Sequence, residues 1–180
     1  MIELLNLVLD TVAGLFAGVL LLRFWIQIVR IRPPQQIAQF TYQLSDWIVK
    51  PMRRIIPGVG GFDWASLIAA YLIALVCTAI QVWMVVESVP VTLLLLAMFT
   101  VLGWAVYGWT ALLILEVVFS WVNPQAPMAP FVRALNAPLL TPVRRVLPLL
   151  GGLDISPMVL FLLLQAASKV LRILAGMTPL

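Results

Sequence analysis

The chain has 180 residues, of which 63% are hydrophobic and 10% charged, with a formal net charge of +4. A mean hydropathy of +1.10 means more apolar surface than a soluble domain of this size can bury, so the composition predicts an all-α integral membrane protein. Histidine is absent and Cys77 is the single cysteine, which excludes an intrachain disulfide and removes the usual side chains of haem, zinc and general-base sites.

The first apolar segment covers residues 8–30. Only acidic charges precede Arg23, so the positive start of a cleavable signal peptide is missing and a retained membrane span is expected. Gly14 and Gly18 form a GxxxG pattern in this segment, and Ala70 and Ala74 repeat the same spacing of small residues in the second span. Such patterns fit packing within one monomer as well as they fit a homo-oligomer.

A basic, proline-rich connector follows the first span. Its apolar residues recur at helical spacing and predict an amphipathic helix that lies in the membrane interface. These residues are Ile37, Phe40, Leu44, Trp47 and Ile48, opposite Gln36, Gln39, Gln43 and Asp46. The connector then contains a basic bracket, Pro51-Met52-Arg53-Arg54-Ile55-Ile56-Pro57. Gly60 and Gly61 permit a sharp return to the membrane, and Asp63 is placed to cap the next helix.

The second and third spans are expected at residues 64–86 and 92–122. Glu87-Ser88-Val89-Pro90 leaves only a tight turn between them, so these spans are predicted to be antiparallel neighbours. The third span contains a charge at depth, Glu116.

The second connector contains a second bracket, Pro142-Val143-Arg144-Arg145-Val146-Leu147-Pro148, followed by Gly151-Gly152 and Asp154. Its prolines Pro130, Pro138 and Pro142 are expected to prevent a continuous helix. The last span is expected at residues 155–175. The recurring bracket, glycine pair and aspartate indicate an internal duplication with repeats at 1–90 and 91–180.

Each repeat has two spans, so the two copies are predicted to share one orientation. Lys and Arg concentrate on the two connectors. By the positive-inside rule both connectors face the cytoplasm and both termini the periplasm, in a bacterial inner membrane. The basic residues adjoin apolar segments, which favours anionic lipid headgroups over nucleic acid as their partner.

The paired arginines have two interpretations. Arg53, Arg54, Arg144 and Arg145 are either topology anchors at the headgroup layer or a docking platform for lipid phosphate or an acidic partner segment. An Arg-to-Lys change distinguishes them, because an anchor tolerates lysine and a bidentate site does not. Asp63 and Asp154 are likewise either helix caps or clamps that hold these arginines.

Aligning the repeats places Arg23 opposite Glu116 at equal depth. Because an unpaired charge within a membrane is costly, the two are predicted to face the bundle interior and form an ion pair. A structural clamp is favoured over a proton or ion relay, since few other titratable groups lie at depth.

Several motifs resemble the YggT family of bacterial inner-membrane proteins, which is related to the YlmG proteins of cyanobacteria and plastids. They are Leu21-Leu22-Arg23-Phe24-Trp25-Ile26-Gln27, the two PxRRxxP brackets and Gly151-Gly152-Leu153-Asp154-Ile155-Ser156-Pro157-Met158. The resemblance implies roles linked to cell division and nucleoid distribution, to assembly of a photosynthetic cytochrome complex, or to osmotic or potassium tolerance.

No nucleophile, base or metal cluster occurs at a workable spacing, so neither an enzyme nor a cofactor or metal site is expected. The leading hypothesis is a non-enzymatic scaffold or assembly factor whose connectors bind a membrane or division protein. The alternative is a subunit of a channel or transporter for ion or osmotic homeostasis, with Arg23, Gln27, Gln81 and Glu116 lining a polar path.

Overall fold

The computed structural model describes residues 2–56, 58, 60–83, 90–147 and 154–176, and all regular structure in these ranges is helical. The helices are α1 (Ile2–Val29), α2 (Gln35–Ile55), α3 (Trp64–Trp83), α4 (Pro90–Val122), α5 (Ala129–Val146) and α6 (Ser156–Leu174). We call α1–α3 the first half of the chain and α4–α6 the second half.

Four of these helices are long and apolar enough to cross a membrane. The qualifying segments are Leu4–Val29, Trp64–Gln81, Val91–Val122 and Ser156–Leu174. The prediction of a helical protein with four candidate membrane spans is thereby confirmed. Several predicted features lie outside the described residues: the turn residues Glu87, Ser88 and Val89, the bracket prolines Pro57 and Pro148, and the pair Gly151-Gly152.

Small side chains form the contact between α1 and α3. Ala17 and Ala70 are fully buried, and Ala69 is 1% exposed in the same cluster. Ala74 continues this contact toward α4, where it packs with Ala97. In lipid, burial of apolar surface drives association weakly, and close approach of helix backbones supplies much of the attraction. The alanine pattern of the second span is therefore used for packing within the monomer.

The connector helix α2 packs against α1 and α3 through its small and polar face. Its buried residues are Thr41, Ser45 and Val49. Phe40 and Trp47 of the predicted apolar stripe are instead 56% and 65% exposed. The stripe is therefore divided. Ile37 and Ile48 pack against buried clusters, while Phe40 and Trp47 present apolar surface outward, as expected of a helix in contact with lipid.

The second connector contains a continuous helix, α5, contrary to the expectation that its prolines would interrupt it. Pro130 lies in the first turn, where a backbone N–H has no helical partner to lose. Pro138 and Pro142 are both exposed, so each removes one helical hydrogen bond without disturbing a packed surface. Leu135 and Leu140, fully buried on the opposite side, hold the helix against its neighbours.

The chain returns from α2 to α3 through Gly60 and Gly61, whose φ angles are 70° and 80°. Only glycine adopts this left-handed conformation without steric cost, so both positions use the conformational freedom on which the predicted sharp return depends. The return places Asp63 directly before α3, beside the end of α2.

Candidate functional site

Two polar clusters lie where the connector helices meet the membrane spans. The first cluster consists of Arg23, Ser45, Asp46, Arg53 and Asp63, which come from α1, α2 and the residue before α3. The second cluster consists of Glu116, Asn136, Arg144 and Asp154, which come from α4, α5 and the segment before α6.

Arg23 is the centre of the first cluster and is 5% exposed. Its Nε donates to Oδ2 of Asp63 at 3.1 Å, and its Nη1 donates to Oδ1 of Asp46 at 2.7 Å. The same Nη1 also donates to the hydroxyl of Ser45, and the guanidinium lies 4.9 Å from the ring centroid of Tyr42. This buried cation is therefore compensated entirely within the first half.

Asp63 joins the bracket to this network. Its side chain is 1% exposed and accepts Nη2 of Arg53 at 2.7 Å, while the hydroxyl of Ser66 donates to Oδ2 at 2.7 Å. Burial alone would raise the pKa of Asp63, but the hydrogen bonds from Arg53 and Ser66 and the charges of Arg53 and Arg23 bring that pKa below its usual value. The carboxylate thus stays ionised and holds two arginines.

The pKa values of Asp46 and Asp154 are also lowered, since hydrogen bonds and arginine charges outweigh burial at both sites. A carboxyl group with a depressed folded-state pKa stabilises the fold above its unfolded pKa of about 3.9, and that stability disappears as the pH falls through the lower, folded value. We expect the melting temperature of the purified protein to stay level between about pH 5 and 8 and to fall below about pH 4. A decline that begins above pH 5 would contradict these assignments.

The second cluster is built around Glu116, which is 8% exposed. Asn136 donates Nδ2 to Oε2 of Glu116 at 2.8 Å and to the Leu112 carbonyl at 2.9 Å. Arg144 lies 3.5 Å from Oε1 of Glu116 through Nη2, and its Nε donates to Oδ2 of Asp154 at 2.8 Å. Arg144, which is partly exposed, therefore pairs with the carboxylates of both Glu116 and Asp154.

The two clusters differ most at their aspartates. The side chain of Asp63 is 1% exposed and contacts two arginines, whereas that of Asp154 is 33% exposed and contacts one. Ion pairs in contact with solvent contribute little to stability, while a buried charge depends strongly on its partner. The contacts of Asp63 therefore contribute strongly to stability, whereas the contact of Asp154 with Arg144 is solvent-exposed and contributes little.

The predicted ion pair between Arg23 and Glu116 is wrong. Arg23 bonds to Asp46 and Asp63, and Glu116 bonds to Asn136 and Arg144. The prediction relied on equal depth along the sequence, but connector helices pack beside both spans and bring closer partners. Each charge is satisfied within its own half.

Asp154 combines the two roles proposed for the aspartates, cap and arginine clamp, whereas the carboxylate contacts of Asp63 are those of an arginine clamp. The backbone carbonyl of Asp63 accepts the first helical N–H groups of α3, from Ser66 and Leu67, while its side chain turns to the arginines. Asp154 accepts the backbone N–H of Ser156 at 3.0 Å through Oδ1 and binds Arg144 through Oδ2. Both residues therefore contact the first arginine of their bracket at the start of a span.

The second arginine of each bracket has a different environment. Arg53 and Arg144 lie in the last turns of α2 and α5, and each is held by an aspartate, Asp63 or Asp154. Arg54 and Arg145 are exposed and belong to none of the ion pairs among the described residues. Beside them, Ile55 and Val146 are 83% and 81% exposed. Each connector helix thus ends in a basic and apolar tip.

Sequence reasoning missed three members of the clusters. Asp46 was placed on the polar face of α2 without a partner, and Ser45 and Asn136 were not singled out. The available signals were the Lys50 residue one turn after Asp46, with which it forms an ion pair at 2.9 Å, and the matching positions of Ser45 and Asn136 before their brackets. Across the described residues, no group of three or more acidic, cysteine or histidine side chains is arranged to hold a metal ion.

The chain matches proteins from several bacteria. A family model described as CCB3/YggT matches residues 2–84 and 95–175. A protein of Escherichia coli strain K12 named "Uncharacterized protein YggT" is 37% identical over 163 residues, covering 89% of this chain and 85% of that protein. An uncharacterized Pseudomonas aeruginosa protein is 37% identical over 182 residues, covering 95% of this chain and 90% of its own. No solved structure matches the chain.

These matches extend over most of both chains, and the matched segments include every residue of the two polar clusters. The resemblance inferred from the arginine brackets is confirmed. The protein belongs to the CCB3/YggT family.

Proposed function

We propose that this protein is a non-enzymatic scaffold or assembly factor of the bacterial inner membrane, and that the tips of α2 and α5 bind an acidic segment of a membrane or division protein. One observation motivates the proposal above all others. In each bracket the first arginine is fixed by an aspartate, while the second is exposed at the helix end. A fixed helix end with a free guanidinium is suited to bidentate recognition of carboxylates.

In this proposal the two halves are copies of one ancestral unit, at residues 1–90 and 91–180. Both halves contain a span, a connector helix with a bracket, and a second span. Both contain an aspartate that contacts the arginine ten residues before it. The concentration of Lys and Arg on the connectors supports a cytoplasmic location for both tips and a periplasmic one for both termini.

The transport alternative has less support from the contacts. Three of the polar residues proposed to line a path have partners elsewhere: Arg23 and Glu116 belong to separate clusters, and Gln81 donates to Asp10 at 3.1 Å. Liposome flux measurements distinguish the two functions. Robust ion movement by the pure protein would favour transport.

The docking proposal predicts loss of a specific partner when the second arginines are removed. Photoreactive residues placed at the exposed positions Ile55 and Val146 should give a discrete protein adduct in cells. With Arg54→Gln and Arg145→Gln, the adduct should weaken about tenfold or more, because hydrogen bonds between charged groups are lost. Lysine at the same two positions should not restore it, since an ammonium group lacks the guanidinium fork.

A matched control is available in Arg32→Gln with Arg133→Gln. Both residues are exposed on the same connectors, so this variant loses the same charge away from the tips and should keep the adduct. Adducts only with lipid or with the protein itself, unchanged by the substitutions at Arg54 and Arg145, would reduce the brackets to topology anchors.

A further inference from the structure

A groove lies along the contact between α1 and α4 on the membrane-spanning part of the molecule, where Trp25 packs edge-on against Trp109 with the ring centroids 5.1 Å apart. It consists of two adjoining cavities of about 350 Å³ and 540 Å³. The cavities share Gly18, Leu22, Trp104 and Gly108 in their walls, so they are direct neighbours along the same pair of helices. This groove runs between the two halves and takes no part in either polar cluster.

The two ends of the groove differ in chemistry. The end nearer the connectors is apolar and is lined by Trp25, Trp109 and Leu115 among others. The far end is lined by Asp10, Thr11 and Tyr107. Asp10 is exposed, and one of its carboxylate oxygens accepts Nε2 of Gln81. An apolar groove with one anionic end matches a molecule with an apolar tail and a headgroup that contains a cationic group.

The glycines show which side chains occupy this space and where it remains open. A Cβ at Gly14 would lie 3.2 Å from the indole nitrogen of Trp104, so that face of α1 is already covered. A Cβ at Gly18 or Gly108 would meet no heavy atom within 4 Å. Gly18 and Gly108 both line the groove, so its wall has room for added atoms at these two positions.

A helix from a second copy fits this groove poorly. Close approach of two membrane helices is favoured by small residues four positions apart, both accessible. On α1, Trp104 covers Gly14 and leaves Gly18 alone. On α4, the residues four positions before and after Gly108 are Trp104 and Leu112. Neither wall offers the required pair, whereas a thin and flexible chain needs none.

We propose that the groove binds one acyl chain of a membrane phospholipid whose headgroup contains a primary ammonium, with that ammonium paired to Asp10. The acyl chain lies against Trp104 and Gly108 and extends toward Trp25. The anionic mouth selects the ammonium headgroup over phosphatidylglycerol. The lipid fills the seam between the two halves.

The test counts the lipids retained by the detergent-purified full chain in native mass spectrometry, after exchange into equal amounts of phosphatidylethanolamine, phosphatidylglycerol and phosphatidylcholine. The unaltered protein should retain one phosphatidylethanolamine per chain. Gly108→Leu places a side chain in the groove and should reduce retention about tenfold, because the acyl chain loses its wall contacts. Gly103→Leu is the matched control: Gly103 lies on the same helix, has equally open space for a Cβ and does not line the groove.

Asp10→Asn separates the headgroup from the chain. This variant should still retain a lipid, but its preference for phosphatidylethanolamine should fall about two- to fivefold, as expected for an exposed ion pair. Equal retention in Gly108→Leu and the unaltered protein would overturn the proposal. So would a change from dimer to monomer in Gly108→Leu with no change in bound lipid, which would identify the groove as an interface between copies.

A second measurement needs no substitution. Phosphatidylethanolamine with brominated acyl chains should quench tryptophan emission with a component that saturates at one lipid per chain, since Trp25, Trp104 and Trp109 line the groove. Brominated phosphatidylglycerol should require about two to five times more lipid for the same component. Quenching that rises without saturation, equally for both lipids, would also overturn the proposal. Neither readout depends on the function of the connector tips.

Discussion

Replacing Asp63 with asparagine is expected to lower the free energy of unfolding by about 3–5 kcal/mol, while the same change at Asp154 should lower it by less than about 1 kcal/mol. The two aspartates occupy matching positions after their brackets. The difference arises because Asp63 is buried with two arginines, whereas the side chain of Asp154 is 33% exposed with one. Without the Asp63 charge, buried Arg23 retains Asp46 alone as an ion-pair partner among the residues that the structure describes.

The measurement is reversible unfolding of the purified protein in mixed micelles, followed by tryptophan fluorescence. Ser66→Ala is a useful control, since it removes one hydrogen bond from a neutral hydroxyl to the Asp63 carboxylate and leaves both charges in place. It should cost about 1.5–3 kcal/mol, less than the loss of the carboxylate charge. Equal losses for the two asparagine variants would mean that burial does not set the strength of these contacts.

Exchanging the charges of Arg23 and Glu116 is expected to fail as a rescue. Arg23→Glu places a third carboxylate beside Asp46 and Asp63, and Glu116→Arg places a second guanidinium beside Arg144. Each single change should cost at least about 3 kcal/mol, because it leaves buried charges without partners. The double variant should lose the sum of the two costs within about 0.5 kcal/mol, since the sites share no hydrogen-bond or ion-pair partner.

A positive control for this exchange lies inside the first cluster. Arg23→Glu combined with Asp46→Arg restores opposite charges at a contact that measures 2.7 Å in the unaltered protein. That pair should recover about 0.5–3 kcal/mol relative to the sum of its single changes. Recovery of the same size for Arg23→Glu with Glu116→Arg would show that the two halves share these charges after all.

The membrane spans were predictable because a long apolar run is a property of the sequence alone. The partner of Arg23 was not, because α1 is apolar on nearly every side and its sequence does not indicate which face meets α2. The ion-pair partners of Arg23 depend on how the connector helix α2 packs against α1. The buried face of a helix can be its small and polar one, as Thr41, Ser45 and Val49 of α2 illustrate.

The continuity of α5 has a similar explanation. Proline lowers helix propensity at Pro138 and Pro142, but buried neighbours such as Leu135 and Leu140 hold the helix in place. Local preference is a weak guide where tertiary packing opposes it. The sequence identifies the brackets as motifs. Which arginine of the first bracket pairs with an aspartate, Arg53 or Arg54, depends on where Asp63 lies in the fold.

The positive charge of Arg23 is balanced by carboxylates of the first half of the chain, and this affects how the protein inserts into its membrane. Arg23 and Asp63 are 40 residues apart, a distance that a ribosome covers in about 2–8 s at roughly 5–20 residues per second. A partner at Glu116, roughly 90 residues away, would have left the cation without its counter-charge more than twice as long during synthesis. The first three helices therefore contain the counter-charges that they need to insert stably in the bilayer before the ribosome has completed the fourth helix.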